Sequence, residues 1–93
     1  MNVGDVIVKT LEKIGVETVF GGSGQSDSDI LLALDESETI ETVIIRHEQA
    51  ASFMACGYGM FSDKLGVCFS TAGSGAFNLF SGLAVAYSDS LPV

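Results

Sequence analysis

The stretch IIRHEQAASFMACGYG, residues 44–59, leads from an apolar run to an Ala-rich run through three consecutive polar side chains. Residues 40–45 are β-branched and apolar, which predicts a strand. Residues 47–60 are predicted to form a helix. Glu48 therefore stands where a buried strand is expected to end and a buried helix to begin. A carboxylic acid at such a junction needs an explanation, because a charged group is costly to remove from water.

The same alternation of strand and helix runs along the whole chain. Strands are predicted at residues 18–20, 40–45 and 65–70, helices at 2–14, 30–34, 47–60 and 76–87, and the start of a further strand at 91–93. This αβαβαβα order predicts parallel strands joined by right-handed helical crossovers. We therefore expect an α/β fold with an open parallel sheet and helices on both faces, incomplete at the C-terminus of the chain.

The first helix carries its own start and stop signals. Asn2 is a favoured N-cap residue, and Asp5 lies three positions later, as in a capping box. Apolar residues then recur at helical spacing, among them Val6 and Ile7. Gly15 is expected to end the helix.

A polar or glycine-rich segment follows each predicted strand. These segments are GGSG (residues 21–24), RHE (46–48) and TAGSG (71–75). Ligands of open parallel sheets bind at the carboxyl ends of the strands, so the three segments are expected to lie together at one edge. Each glycine loop resembles half of a dinucleotide-binding fingerprint, but neither has the third glycine. Tight turns explain either loop alone, although amides at helix N-termini could also hold an anion.

Two explanations of Glu48 remain open at the level of the residues. A carboxylate at a helix N-terminus is stabilised by the helix dipole, by roughly 0.3–1 kcal/mol, and could pair with Arg46 or His47. Alternatively, Glu48 is a partly buried acid that shares a proton with a ligand nitrogen. His47 is interpreted as an orienting or structural residue and Arg46 as an ion-pairing or positioning group. Phe53 and Met54 are expected in the core.

Composition limits the partners. Hydrophobic residues make up 47% of the 93 residues, which suits a layer of a larger assembly better than an isolated small domain. The net charge of −8 argues against nucleic acid and anionic membranes. Cys56 and Cys68 are expected to be reduced core residues, and the single histidine, His47, predicts no metal site. The N-terminus lacks a signal-peptide pattern, so a cytoplasmic location is expected.

Several motifs together resemble one family. They are GVETVFGGSG (residues 15–24), RHEQAA (46–51), GYG (57–59), GVCFSTAGSGAFNL (66–79) and GLAVAYSDSLPV (82–93). The chain resembles the start of the N-terminal pyrimidine-binding domain of acetolactate synthase-like, thiamine-diphosphate-dependent enzymes, and the resemblance covers all 93 residues. It implies a thiamine-diphosphate-binding fold, of which residues 1–93 are the N-terminal part.

The resemblance implies a role for Glu48. In this family the glutamate at its position exchanges a proton with N1′ of the cofactor's aminopyrimidine, which activates the thiazolium ring for attack on a 2-oxo acid. The resemblance also implies that the two glycine loops contact the cofactor, through Gly22, Ser23, Gly24, Gly73 and Ser74. Gln25 falls at a position that faces the substrate.

Two departures from the family pattern affect these loops. Ser23 and Ser74 stand where proline is usual, and both loops are expected to be less rigid as a result. The departures count against acetolactate synthase proper and leave decarboxylase and carbon–carbon lyase relatives open. The substrate is expected to be a 2-oxo acid or a related carbonyl compound.

The resemblance also implies what lies outside the chain. In this family a separate C-terminal domain holds Mg²⁺ and the diphosphate, and the active site forms between two subunits. We therefore expect a homodimer or tetramer with thiamine diphosphate and Mg²⁺ as cofactors. The 93-residue chain alone is expected to be inactive. The alternative is a non-catalytic fragment or assembly module of the same family.

Overall fold

Three parallel strands form the centre of the fold in the computed structural model, which describes residues 1–22 and 28–93. The strands are β1 (Thr18–Gly21), β2 (Glu41–Ile44) and β3 (Val67–Phe69), and their spatial order is β2-β1-β3. Phe20 of β1 is in register with Val43 of β2 and with Cys68 of β3. The predicted open parallel sheet is confirmed.

Helices cover both faces of this sheet. In the described part of the chain they are α1 (Val3–Lys13), α2 (Ser28–Glu36), α3 (Glu48–Ser62), α4 (Ser74–Asn78) and α5 (Phe80–Ser88). Val19 of β1 packs in one core cluster with side chains of α1 and α2, whereas its neighbour Phe20 packs in a second cluster with side chains of α3. Consecutive strand residues point to opposite faces, so the two clusters lie on opposite sides of the sheet.

Two predicted elements at the C-terminal end differ from the structure. The helix predicted at residues 76–87 is two helices, α4 and α5, which meet at Leu79. Leu79 keeps helical angles, φ −71° and ψ −22°, but its amide bonds to the carbonyl of Ala76, three residues back, at 3.1 Å. No strand forms at residues 91–93. The amide of Leu91 instead turns back to the carbonyl of Ala86 at 2.9 Å, although the carbonyl of Pro92 accepts a bond from the amide of Gly66 at 2.8 Å. Residues 91–93 thus make one strand-like backbone bond to the segment before β3, and the amide of Leu91 bonds locally to the end of α5.

The buried faces of two helices also differ from expectation. Phe53 and Met54 of α3 are each 44% exposed, so their assignment to the core is wrong. Small residues of α3 form its buried side instead, among them Ala51, Ser52 and Ala55, each 0% exposed. Small side chains allow a close approach of neighbouring backbone, which excludes the large side chains from that face.

The start of α1 agrees with the sequence prediction, but fewer of its apolar residues are buried than the helical spacing predicted. The side chain of Asn2 accepts a bond from the amide of Asp5, and the side chain of Asp5 accepts one from the amide of Asn2, both at 2.9 Å. This reciprocal pair is a capping box. Gly4 and Val8 are the buried residues of α1, whereas Val6 is 51% exposed.

Both cysteines are free thiols, as predicted, and Cys56 is buried while Cys68 is half-buried. Burial raises the pKa of both thiols, and the nearby Asp89 carboxylate adds to the effect at Cys56. The folded chain therefore holds these protons more tightly than the unfolded chain does. The resulting stabilisation is fully present below the pKa of an unfolded thiol and is lost as the pH rises through the folded pKa.

We therefore expect iodoacetamide to alkylate both cysteines slowly at pH 8. The rate should increase only when the pH exceeds the pKa of an ordinary, exposed thiol. Mass spectrometry of the chain between pH 7 and 10 measures both rates, and the chain unfolded in urea serves as the control. Equal rates in the folded and the urea-unfolded chain at pH 8 would contradict this prediction.

Candidate functional site at the carboxyl end of the sheet

Glu48 is the first residue of α3 and lies beside the carboxyl end of the sheet. One more backbone bond, from the amide of Ile45 to the carbonyl of Gly21 at 2.9 Å, extends the pairing of β2 and β1 beyond β2. The side chain of His47 is the N-cap of α3, where its Nδ1 accepts a bond from the amide of Gln49 at 3.1 Å. Glu48 is thus held between a paired strand end and a capped helix start.

Two glycines and one asparagine surround the Glu48 side chain. A Cβ atom placed on Gly22 would lie 3.7 Å from Glu48 Oε2, and one placed on Gly75 would lie 3.5 Å from Glu48 Cδ. Asn78 Nδ2 donates a hydrogen bond to Glu48 Oε1 at 3.4 Å. Gly22 follows β1, Glu48 follows β2, and Gly75 follows β3, so the predicted convergence of the three segments is confirmed for the described residues.

The two glycines bring the backbone close to the carboxylate. Both are buried, and Glu48 itself is half-buried. A side chain at Gly22 would also come within 3.3 Å of the carbonyl of Ile45, and one at Gly75 within 3.2 Å of Thr71 Cγ2. Any larger residue at either position would occupy the space beside the acid. Gly22, Gly75 and Asn78 thus form a small cradle around the Glu48 carboxylate, with the side chain of Thr71 beside Gly75.

The order of the strands creates a topological switch point at the carboxyl end of the sheet. β1 lies in the centre, the chain crosses from β1 to the neighbour on one side, and it later returns to the neighbour on the other side. α2, which follows β1, and α3, which follows β2, pack on opposite faces of the sheet. Glu48, Gly22 and Gly75 lie at the carboxyl ends of these strands, where open parallel sheets bind their ligands.

The other residues proposed from the sequence fall into two groups. Gly73 and Ser74 are exposed at the start of α4, and a Cβ on Gly73 would meet nothing within 4 Å. Gly73 has a positive φ of 83°, a backbone conformation that glycine adopts more easily than other residues, and this accounts for a glycine at that position. Ser23, Gly24 and Gln25 lie outside the described residues.

Two expectations about the RHE segment are wrong in detail. The strand before Glu48 is not buried, because β2 is an edge strand of the described sheet and Ile44 is 58% exposed. Arg46 is exposed and forms no ion pair with Glu48. Within residues 1–22 and 28–93, the ion pair that is present joins Lys64 to Glu17. The orienting role predicted for His47 agrees with its capping bond.

Replacing His47 with Ala is expected to lower the free energy of unfolding by about 0.5–2 kcal/mol, because the first turn of α3 loses its cap. His47→Asn is the matched control, since Asn is a strong N-cap residue and should retain most of the stability. Urea unfolding followed by circular dichroism measures both variants. An equal loss in both variants would show that the imidazole acts through another contact.

Sequence reasoning missed Gly75 and Asn78. A usable signal existed, because residues three positions apart lie on the same side of a helical turn. Once Gly75 is placed beside Glu48, Asn78 follows one turn later on the same side of α4. The resemblance pointed to Gly73 and Ser74 instead, which are the loop positions that precede this turn.

The described residues hold neither a cluster of metal-ligand side chains nor a helix suited to crossing a membrane. Within residues 1–22 and 28–93, no three side chains among His, Cys, Asp and Glu come together as ligands for a metal ion. None of the described helices combines the length and the apolar character that a membrane crossing requires.

Comparison with known proteins gives a consistent result. The family model "Thiamine pyrophosphate enzyme, N-terminal TPP binding domain" matches residues 1–93. Acetolactate synthase 3, chloroplastic, from Brassica napus is 49% identical over 89 residues, and acetolactate synthase, chloroplastic, from Arabidopsis thaliana is 48% identical over 89 residues. Acetolactate synthase from Mycobacterium avium is 41% identical over 87 residues. The alignments cover 94–96% of this chain but only 13–14% of these relatives.

Proposed function

The chain belongs to the thiamine pyrophosphate enzymes, whose N-terminal TPP-binding domain it matches over its full length, and on this premise we propose that it supplies the aminopyrimidine half of a thiamine-diphosphate site. The observation that carries the proposal is the Glu48 carboxylate, held beside Gly22 and Gly75 at the switch point of the sheet. We propose the same reaction class as the named relatives, an acetolactate synthase-like carboligation of 2-oxo acids.

The residues of the cradle fit such a ligand. An aminopyrimidine is flat and carries ring nitrogens, and the absence of side chains at Gly22 and Gly75 leaves room beside the acid. A half-buried carboxyl group can hold a proton at a ring nitrogen, since partial loss of hydration favours sharing of that proton. When bound, thiamine diphosphate would supply a nucleophilic carbon and a ring that serves as electron sink for decarboxylation.

Each residue of the chain then has a definite task. Glu48 would hold the aminopyrimidine at N1′ and exchange a proton there. Gly22 and Gly75 would let the ring approach the carboxylate, and His47 would fix the start of the helix that carries it. Mg²⁺ and the diphosphate belong to residues outside this chain in the proposal.

Assembly with a second subunit is part of the same proposal. Large side chains of the α3, α4 and α5 region are exposed: Phe61 86%, Phe77 69%, Phe80 58% and Tyr87 90%. Phe77 and Phe80 contact each other with ring centroids 5.6 Å apart. Large exposed apolar side chains are typical of an interface. A homodimer or tetramer would cover them and would bring the second half of a site to Glu48.

A hybrid enzyme tests the proposal. It is made by replacing the matching stretch of the Arabidopsis thaliana acetolactate synthase with this chain. We expect the hybrid to bind thiamine diphosphate with Mg²⁺ in calorimetry, to form acetolactate from pyruvate and to be oligomeric by light scattering. A well-folded hybrid that binds no thiamine diphosphate and forms no acetolactate would overturn the proposal and leave the assembly-module alternative.

A further inference from the structure

We infer that Asn78 is a positioning residue for Glu48, which it orients through a hydrogen bond to one of the two carboxylate oxygens. The bond runs from Asn78 Nδ2 to Glu48 Oε1 at 3.4 Å. This distance is at the long end of the range, as catalytic hydrogen bonds often are before a ligand binds. The catalytic part of the inference rests on the proposed function, whereas the contact itself does not.

The backbone holds Asn78 in place. Asn78 is the last residue of α4, and Leu79 after it packs in the core cluster that contains Phe20 and Ala55. The amide of Leu79 also bonds to the carbonyl of Ala76 at 3.1 Å. The packed Leu79 therefore anchors the end of α4, from which the amide side chain of Asn78 reaches Glu48.

The two oxygens of Glu48 have different surroundings. Oε1 accepts the bond from Asn78, whereas Oε2 is the oxygen that faces Gly22, at 3.7 Å from a Cβ placed on that glycine. Among the described residues, Asn78 is the side chain that hydrogen-bonds to this carboxylate. A donor on Oε1 restrains the position of that oxygen and leaves Oε2 for the proton that is shared with a ligand.

The contact has little reason to exist for stability alone. Asn78 is exposed and Glu48 is only half-buried, so water can replace the bond at small cost in the free energy of unfolding. Orientation is different, because a small misplacement of a reacting group has a large effect on rate. Asn78 is therefore expected to affect cofactor activation more than folding.

The first test uses the 93-residue chain without cofactor. The side-chain amide resonance of Asn78 is followed by ¹H–¹⁵N NMR in the native chain and in Glu48→Gln. The control is Glu41→Gln, which removes the same charge from an exposed residue of β2. We expect the amide resonance to shift in Glu48→Gln and to stay in place in Glu41→Gln. An unmoved resonance in Glu48→Gln would overturn the contact, whatever the fate of the proposed function.

The second test uses the hybrid enzyme. Asn78→Leu keeps a similar volume and removes the donor, and it is expected to slow proton exchange at C2 of bound thiamine diphosphate roughly 3- to 30-fold. The calorimetric affinity for thiamine diphosphate should change much less. Asn78→Gln retains an amide donor and should recover part of the rate.

A double variant separates positioning from a general structural role. If Asn78 acts through Glu48, Asn78→Leu should have no further effect on C2 exchange in the Glu48→Gln background. An equal loss in both backgrounds, or no loss in either, would overturn the positioning role. If Glu48→Gln itself leaves exchange unchanged, the proposed function fails, and the catalytic part of the inference fails with it.

Discussion

Glu48→Gln in the hybrid enzyme is expected to slow proton exchange at C2 of bound thiamine diphosphate by a factor on the order of 10²–10⁴. Gln has nearly the same shape as Glu, so the cradle formed with Gly22 and Gly75 stays intact. An amide cannot take up and return a proton at a ring nitrogen as a carboxyl group does. The loss should therefore appear in the exchange rate much more than in the affinity for the cofactor.

The matched control for this prediction is Glu41→Gln. Glu41 is an exposed residue of β2, and the substitution changes the net charge by the same amount without touching the cradle. Proton exchange at C2, followed by NMR after transfer to deuterated solvent, should be normal in this variant. Near-normal exchange in Glu48→Gln would show that Glu48 is a helix-start acid stabilised by the helix dipole, with no part in cofactor activation.

Gly82→Ala is expected to lower the free energy of unfolding of the chain by roughly 3 kcal/mol, at the upper end of the range for overpacking. α5 packs against α3 where Gly82 meets Ser52. A Cβ on Gly82 would lie 2.5 Å from Ser52 Cβ and 2.6 Å from the carbonyl carbon of Ser52. Two hydrogen bonds join the same helices, from the Gly82 amide to Ser52 Oγ and from Cys56 Sγ to the Gly82 carbonyl, both at 3.2 Å. The added methyl group would separate the helices and weaken both bonds.

Gly57→Ala provides the control for that substitution. Gly57 is inside α3, and a Cβ placed on it would meet nothing within 4 Å. Alanine is a better helix former than glycine, so this variant should gain about 0.5–1 kcal/mol. Urea midpoints of the two variants should therefore move in opposite directions. A Gly82→Ala variant as stable as the native chain would mean that α3 and α5 do not pack as closely as described.

The convergence of the three polar segments could be predicted because it follows from topology. Strands that alternate with helices are parallel, and their carboxyl ends lie at one edge whatever the side chains are. The start of α1 could be predicted for a similar reason, since Asn2 and Asp5 form a capping box from local spacing alone. Both predictions depend on the order of residues along the chain and not on tertiary packing.

The predictions that failed depend on tertiary packing. Strand order is not encoded in any single strand, so the edge position of β2 was not foreseen. Phe53 and Met54 were assigned to the core because large apolar residues usually are buried. The close crossing of α3 and α5 instead selects small residues such as Ser52 for the buried side. The contact between Asn78 and Glu48 joins residues 30 positions apart in the chain, so helical spacing could suggest it only once Gly75 was known to lie beside Glu48.

The most direct measurement of the central claim is the structure of the hybrid enzyme crystallised with thiamine diphosphate and Mg²⁺. We expect the Glu48 carboxylate to lie within hydrogen-bond distance, about 2.6–3.2 Å, of N1′ of the aminopyrimidine, with the ring beside Gly22 and Gly75. An aminopyrimidine bound elsewhere, with Glu48 in contact only with Asn78 and solvent, would contradict it.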